Sequence, residues 1–354
     1  MPIKFPISIL KTVWDRQDSG LWGISNMKGL TLESESPTEE TFFVLGGNLQ
    51  LMTDTPNCNM LDAMSLIGTT DFLMQQSIVP VVAWHNGETA IRCIGTASII
   101  SCTGYLLTAA HVLMDPIENG YGAIRQGNRV DHDPNLNFGV LIPFWTPGYG
   151  MSLRKAFRFF PFEKTWHWGR WKQSPLLHEK DTWEYLTDVA ICKISEMPNG
   201  KAHQPLNMSL YPFTPGEDAY SLGYAEMADI PLDSATGGIA DKNFRLKLHV
   251  SVGNVRTTFP QNHVEREVPT PGPCFDFDAR IPGKMSGAPI FGARGAVIRG
   301  VVSRSFSNEK HAFGSMLGPI MDLELEEPGI IGPSLSSLLK SGNEGMTRLV
   351  GSEL

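Results

Sequence analysis

The 354-residue sequence is short of cysteine, of charge and above all of positive charge, and each shortage excludes a class of protein. Its five cysteines are odd in number and scattered, and none forms a CxxC pair. This excludes the usual zinc patterns and a dense disulfide framework, so we expect free thiols in a reducing compartment. The net charge of −8 argues against nucleic acid as a partner, because nucleic-acid binding favours a basic surface.

An evident export signal and a long apolar helix are also missing. Residues 1–6 carry one lysine and lead into no extended apolar stretch, which favours a cytoplasmic protein. Residues 93–110 form a run of 18 uncharged positions, near the minimum that spans a bilayer. Glycine, serine and threonine interrupt this run. We therefore expect two buried strands joined by a turn, and no integral membrane segment.

Glycine and proline, in contrast, are plentiful, with 35 and 25 residues. Such a composition favours many turns and short strands over long helices. The β-branched run Ile78–Trp84 predicts a strand, His85–Gly87 a hairpin turn and Ala90–Ile100 a second strand. Strands that follow one another without helical periodicity indicate an antiparallel barrel or sandwich.

The remainder of the chain continues this strand-rich pattern. Further strands are predicted at 137–145, 156–162, 188–194, 219–224, 244–252, 255–259, 298–303 and 316–323. Residues 272–282 are predicted to be a loop and 333–340 a short closing helix. Residues 1–75 contain no motif, although 42–45 could be a strand. They are interpreted as an extension packed on the main domain or as a regulatory, partner-binding segment.

Residues 151–172 combine six cations with three tryptophans: Arg154, Lys155, Arg158, Lys164, Arg170 and Lys172, with Trp166, Trp168 and Trp171. Basic and aromatic side chains together could bind an acidic peptide, a lipid surface or single-stranded nucleic acid. We favour a loop whose tryptophans cover the barrel while the cations remain in solvent.

Three short segments carry the residue types of nucleophilic catalysis. His111 ends the run Leu-Leu-Thr-Ala-Ala-His, Asp188 opens an apolar strand, and Ser286 lies in Gly-Lys-Met-Ser-Gly-Ala-Pro. A serine hydroxyl becomes nucleophilic when an imidazole can take its proton and a carboxylate orients that imidazole. Small residues around the serine allow a tight turn whose N–H groups can converge on an oxyanion.

These residues resemble the chymotrypsin/trypsin family of serine proteases, in the form common among bacterial and viral members. Thr108–His111 matches its histidine motif, Asp188–Ile191 its aspartate strand, Ser286–Pro289 its nucleophile turn and Gly300–Ser303 the wall of its specificity pocket. The order His, Asp, Ser is that of this family.

The resemblance implies a mostly β fold of two six-stranded antiparallel barrels, with an N-terminal extension and a short C-terminal helix. The implied divisions are an extension at 1–75, a peptidase domain at 76–325 and a tail at 326–354. The first barrel would occupy about 76–204 and the second about 205–325.

The same resemblance implies a serine endopeptidase that acts on proteins or peptides through an acyl-enzyme. Ser286 would be the nucleophile, His111 the general base and acid, and Asp188 the orienting carboxylate. The N–H groups of Lys284 and Ser286 would form the oxyanion hole. No cofactor is implied, and the remaining histidines lack the spacing of metal ligands.

The resemblance also places five residues at the substrate. Val302 lies on the pocket wall, and Ser303, Arg304 and Ser305 would pair with an extended substrate backbone, with Ser303 also near Asp188. Gly314 would leave the pocket open.

Two departures from the family pattern support an alternative function. Lys284 replaces a usual glycine, and Met285 replaces the aspartate that binds a newly formed N-terminus in digestive members. The alternative is a protease-like binding or regulatory module, active only after a partner remodels its oxyanion hole. Separately, an intracellular protease is expected to be gated, with residues 1–75 or the Trp166–Trp171 segment as candidate gates and a regulatory protein as a candidate partner. Arg280 lies near the pocket base in an ungapped reading, where it would favour acidic side chains, or it is equally a surface loop residue.

Overall fold

The computed structural model describes most of the chain from residue 76 onward and three short segments before it. The described residues are 11–16, 22–28, 50–53, 74, 76–147, 153–172, 182–194, 205–232, 247–261, 263, 267–292, 296–306, 310–327, 329, 331–341 and 348–351. The first three segments are strands β1 (Lys11–Arg16), β2 (Trp22–Lys28) and β3 (Gln50–Thr53), and β1 pairs antiparallel with β2. The strand considered at 42–45 lies outside the described residues.

The first barrel is built from the strands that follow and contains one helix. In chain order its elements are β4 (Ile78–His85), β5 (Ala90–Ile99), β6 (Tyr105–Thr108), α1 (Ala110–Glu118), β7 (Ala123–Gln126), β8 (Arg129–His132), β9 (Leu136–Pro147), β10 (Leu153–Lys172) and β11 (Thr182–Ile194). Six of the strands pair in the order β11-β6-β5-β4-β9-β10, and an antiparallel pairing of β10 with β11 closes the ring. The hairpin β7–β8 is added to β10.

The second barrel closes in the same way. Its elements are β12 (Asn207–Ser209), β13 (Asp218–Tyr224), β14 (Ile230–Pro231), β15 (Lys247–Phe259), β16 (Cys274–Phe277), β17 (Pro289–Gly292), β18 (Val297–Ser305), β19 (Ala312–Met316), a 3₁₀ helix (Gly318–Asp322), α2 (Leu335–Lys340) and β20 (Leu349–Val350). The ring order is β17-β13-β15-β16-β19-β18, with β18 pairing back to β17. β3 pairs with β15, β14 pairs with β5, and β12 lies between β18 and β20. The predicted fold of two six-stranded antiparallel barrels with a short C-terminal helix is confirmed.

The side chains of β4 alternate between two hydrophobic cores, the interior of the first barrel and a core shared by both barrels. In β4, Val79 and Val81 point into the first barrel, whereas Ile78 and Val82 point out of it. Because successive side chains of a strand face opposite sides, the outward residues are free to contact the second barrel. They join a shared core that includes Leu222 of β13. The uncharged run 93–110 supplies β5 and β6, and no helix in the described residues is long and apolar enough to cross a membrane.

A C-terminal strap, residues 318–341, connects the two barrels. Leu335 and Leu339 of α2 are buried in the shared core. The carbonyl of Glu326 accepts a hydrogen bond from Trp166 Nε1 in β10 at 2.9 Å, and its carboxylate accepts from the amide of Asn128 at 3.0 Å. The strap therefore leaves the second barrel and packs on the first.

The segment with interleaved tryptophans is part of β10 rather than a loop. Trp166 is buried, and Trp168 is partly buried against the shared core. Lys164 forms an ion pair with Glu327, which also binds Arg129 at 2.6 Å. Trp166 therefore has a packing role. The side chain of Trp171 lies outside the described residues.

Three other sequence expectations are wrong in detail. Residues 274–277, predicted as loop, form the central strand β16. Residues 318–322, predicted as strand, form the 3₁₀ helix, where Pro319 occupies the first turn. The two strands predicted at 244–252 and 255–259 are a single strand, β15. Gly253–Asn254 has the sequence of a turn but continues the ladder with β13.

Candidate active site

His111 and Asp188 meet in the first barrel, where α1 follows β6 and Asp188 lies on the neighbouring strand β11. β6 ends at Thr108, which pairs with Ala190 of β11, and α1 begins two residues later. The amide of His111 donates to Asp188 Oδ1 at 2.9 Å, and its Nδ1 lies 2.8 Å from Asp188 Oδ2. Asp188 therefore caps the first turn of α1 and orients the imidazole with the same carboxylate.

The ionised form of Asp188 is favoured despite complete burial. Desolvation raises the pKa of this carboxyl, but the His111 charge and the hydrogen bonds from His111 and Ser303 together bring the pKa below its usual value. An ionised carboxylate only accepts hydrogen bonds, so Nδ1 of His111 is the donor. Whenever the ring carries no second proton, its Nε2 is the hydrogen-bond acceptor that a general base requires.

A short chain of hydroxyl groups continues behind the carboxylate. Ser303 Oγ donates to Asp188 Oδ2 and lies 2.9 Å from Thr270 Oγ1. A hydroxyl has one proton to donate, and Ser303 gives it to Asp188. Thr270 must therefore donate to Ser303, which polarises the Ser303 hydroxyl toward the carboxylate. Both hydroxyl-bearing residues are buried.

The turn that carries Ser286 is fixed against the residues that precede His111. The amide of Thr96 in β5 donates to the carbonyl of Ser286 at 2.8 Å. Gly287 has φ +82, and a Cβ there would lie 2.2 Å from Thr108 Oγ1 and 2.8 Å from the amide of Ala109. The turn that carries Ser286 in the second barrel thus touches the end of β6 and the amide of Ala109, which lies two residues before His111.

Lys284 adopts the left-handed backbone conformation, with φ +71. Within the described residues, the amides of Lys284 and Ser286 donate to no carbonyl, whereas Gly287 and Ala288 donate to Val302 and Met285 at 2.8 and 2.9 Å. The two amides predicted to form an oxyanion hole are therefore not engaged by neighbouring carbonyls. A left-handed non-glycine residue is uncommon and marks a position where the backbone is held in place.

The predicted substrate residues lie on β18 and β19. Val302 is buried in the core of the second barrel, and its amide donates to Ala288. Ser303 is buried and directed at Asp188, while Arg304 is exposed and Ser305 partly buried. A Cβ at Gly314 would lie 2.4 Å from Cζ of Phe275 and 2.6 Å from Cδ1 of Ile290, so a side chain there would displace these two buried groups.

Several features of the site were not found from the sequence. Thr96 contacts the nucleophile turn and Thr270 supports Ser303, but each is a lone threonine in a segment without a motif. Arg280, expected near the pocket base, is exposed, and its carbonyl accepts from Ser251 Oγ at 2.7 Å. In the described part of the chain, no group of three or more His, Cys, Asp or Glu side chains is placed to hold a metal ion.

Two cysteines near these elements are inert thiols. Cys93 in β5 and Cys192 in β11 are free and buried. Burial raises the pKa of the Cys93 thiol to about 12 and also raises that of Cys192. Neither is a candidate nucleophile, because the reactive form is the thiolate.

A family profile described as "Trypsin-like peptidase domain" matches residues 95–298, more than half of the chain. The chain therefore belongs to the trypsin-like peptidase family, as the motifs predicted. Membership of a peptidase family indicates protein or peptide substrates. The matched range contains all three motif residues, His111, Asp188 and Ser286. A search of curated protein sequences finds no match.

Two solved structures are similar to the chain at low identity. The active form of the Rv3671c protease from M. tuberculosis is 16% identical, with a TM-score of 0.38, and the match covers 82% of this chain and 90% of that one. Deg5 is 14% identical, with a TM-score of 0.39, and the match covers 73% of this chain and 89% of that one. Such similarities carry no information about individual residues.

Proposed function

We propose that the protein is a serine endopeptidase with Ser286 as nucleophile, His111 as general base and acid, and Asp188 as orienting carboxylate. The observation that carries the proposal is the bridging Asp188 carboxylate, which fixes the backbone and ring of His111 together. The close packing of Gly287 on Thr108 supports it by bringing the Ser286 turn to the same place.

In the proposed mechanism Ser286 Oγ attacks the substrate carbonyl while its proton passes to His111 Nε2. The resulting imidazolium is stabilised by the ionised Asp188. The oxyanion would be bound by the amides of Lys284 and Ser286, which have no carbonyl partner among the described residues. Collapse of the tetrahedral intermediate returns the proton to the leaving amine, and water then hydrolyses the acyl-enzyme by the same route.

The test is covalent labelling of the full chain by a fluorophosphonate, followed by peptide mapping. Wild type should be labelled on Ser286, and Ser286→Ala should lose all labelling. Ser337→Ala, on the exposed side of α2, is the matched control and should be labelled like the wild type. Hydrolysis of a peptide amide should disappear in the same variant that loses the label.

The alternative of a protease-like binding module makes the opposite prediction. A folded wild type that binds a peptide but is neither labelled nor able to cleave it would favour that alternative. Labelling on a serine other than Ser286 would contradict the assignment of the nucleophile. A small ester, assayed beside the peptide amide, separates peptidase from simple esterase activity.

A further inference from the structure

The Lys284 side chain is anchored outside the nucleophile turn. Its Nζ donates to the carbonyl of Met227 at 2.5 Å and lies 3.8 Å from Asp229 Oδ1. Asp229 is largely exposed, so the ion pair adds little, and the carbonyl is the stronger anchor. Met227 itself is buried in the shared core and is therefore a firm attachment point.

The backbone of the same residue is attached as well. The Lys284 carbonyl accepts from Thr96 Oγ1 at 3.5 Å, and that oxygen in turn accepts from the amide of Tyr224 at 3.0 Å. The neighbouring carbonyl of Gly283 accepts from the amide of Glu226 at 2.9 Å. Residues 224–227, which are the last residue of β13 and the three that follow it, thus form a platform for the turn, and the Lys284 ammonium binds to it.

A left-handed backbone at position 284 would be unstrained with glycine, and the lysine therefore needs a compensating role. We propose that Lys284 is a positioning residue: its ammonium ties the nucleophile turn to the platform and keeps the Lys284 amide directed at the oxyanion. This inference rests on the proposed function of the site. In this protein the Lys284 side chain holds the turn in place, whereas with glycine at this position only the backbone could do so.

Three substitutions separate the ammonium from the backbone conformation. Lys284→Met keeps the strained conformation and most of the side-chain length but removes the donor. Lys284→Gly removes both the donor and the strain. Lys284→Arg retains a cationic donor. Lys340→Met, at the exposed end of α2, is the matched control for loss of one lysine charge.

The first measurements are kcat and KM for cleavage of a peptide amide. The second are the inhibition constants of a peptide aldehyde and of an uncleaved peptide of the same sequence. We expect kcat to fall about tenfold in Lys284→Met and Lys284→Gly, since a displaced oxyanion donor costs part of its contribution to catalysis. KM should change less than about twofold, because no ground-state contact is removed. Affinity for the aldehyde, which forms an oxyanion when bound, should fall with kcat, while that for the uncleaved peptide should not. Lys284→Arg and Lys340→Met should stay near the wild type.

The glycine variant also excludes misfolding as the cause, because its Tm should equal or exceed that of the wild type as strain is relieved. Wild-type kcat in Lys284→Gly, or a loss confined to KM, would overturn the inference and leave the proposed function intact. A wild type that no fluorophosphonate labels would remove the proposed function, and the inference with it.

Discussion

Gly287 occupies a position where neither backbone conformation nor space admits a side chain. Its φ of +82 belongs to the left-handed region, and a Cβ would collide with Thr108 Oγ1 and with the Thr96 carbonyl at 2.3 Å. We expect Gly287→Ala to reduce the free energy of unfolding by about 2–5 kcal/mol, combining conformational strain with overpacking. Urea unfolding measures the loss.

Gly216→Ala is the matched control for this prediction. Gly216 has φ +90, but a Cβ there would have no atom within 4 Å. This variant should lose only the conformational part, about 1–2 kcal/mol. Equal losses for the two variants would mean that close packing between Gly287 and β6 does not contribute to stability.

The residues that meet at the site differ in how far a sequence can predict them. His111 and Asp188 lie 77 positions apart, but each stands in a motif, and the motifs predicted their approach. The contacts of Thr96 and Thr270 depend on how the barrels close, and nothing in their own segments indicates it. Lys284 is conspicuous in the sequence because it replaces a usual glycine, but its attachment to Met227 involves a residue 57 positions away.

Strand β10 joins several elements of the first barrel, and one of its residues makes that barrel sensitive to acid. His167 is buried, and its Nε2 lies 2.6 Å from Arg125 Nη1 of β7. Arginine is always a donor, so Nε2 must accept and the ring must be neutral. Burial, with the charges of Arg125 and His132, lowers the pKa of His167 to about 3, and burial lowers that of His132 to about 4.

These shifts set the pH range in which stability is lost. The unfolded chain protonates each histidine near its ordinary pKa of 6.5, whereas the folded chain stays neutral until about 3 or 4. The unfolded state binds more protons in between, so the free energy of unfolding should fall as pH drops below about 6.5. The slope is up to about 1.4 kcal/mol per pH unit for each histidine. Asp188 adds to this loss of stability only as the pH falls below its ordinary pKa of 3.8, because the pKa of this carboxyl in the folded chain is lower still.

His167→Gln should reduce this slope by about half, since glutamine can accept from Arg125 without titrating. Urea unfolding at several pH values between 4.5 and 7.5 measures it. His85→Gln, at the partly exposed last residue of β4, is the control and should keep the wild-type slope. A slope unchanged in His167→Gln would show that another group takes up the proton.

Elements with strong turn signals were predicted well and those without them poorly. Asn86–Gly87 marks the hairpin between β4 and β5, and Gly87 has the positive φ that such a turn requires. The strand β16 was missed because Gly272–Pro273 and Asp276 have the composition of a loop. It exists because β15 and β19 pair with it on both sides. Tertiary pairing there overrides local preference.

At the scale of the whole molecule, the strap belongs to the stable structure although the motifs end before it. Leu335 is completely buried in the shared core, while Leu338 on the same helix is partly buried. We propose that the peptidase domain extends through α2, beyond the boundary at 325 that the motifs implied. The Trp166 indole, whose acceptor is Glu326, supports the same extension.

Leu335→Ala tests this extension. Loss of a fully buried leucine should lower the free energy of unfolding by about 2–4 kcal/mol in the main cooperative transition. Leu338→Ala, the control, should cost about 1 kcal/mol or less. If Leu335→Ala left the main urea transition of the full chain unchanged, the strap would be a separate unit and the boundary at 325 would stand.

The strap also provides a second connection between the two barrels, in addition to the chain that links β11 to β12. The polypeptide passes from the first barrel to the second between β11 and β12. Further along the chain, Glu326 and Glu327 of the strap bind β10 and the β7–β8 hairpin of the first barrel. A single nick between β11 and β12 would thus yield two fragments that still co-purify. Such a cut would be visible on a denaturing gel while the two barrels remained associated.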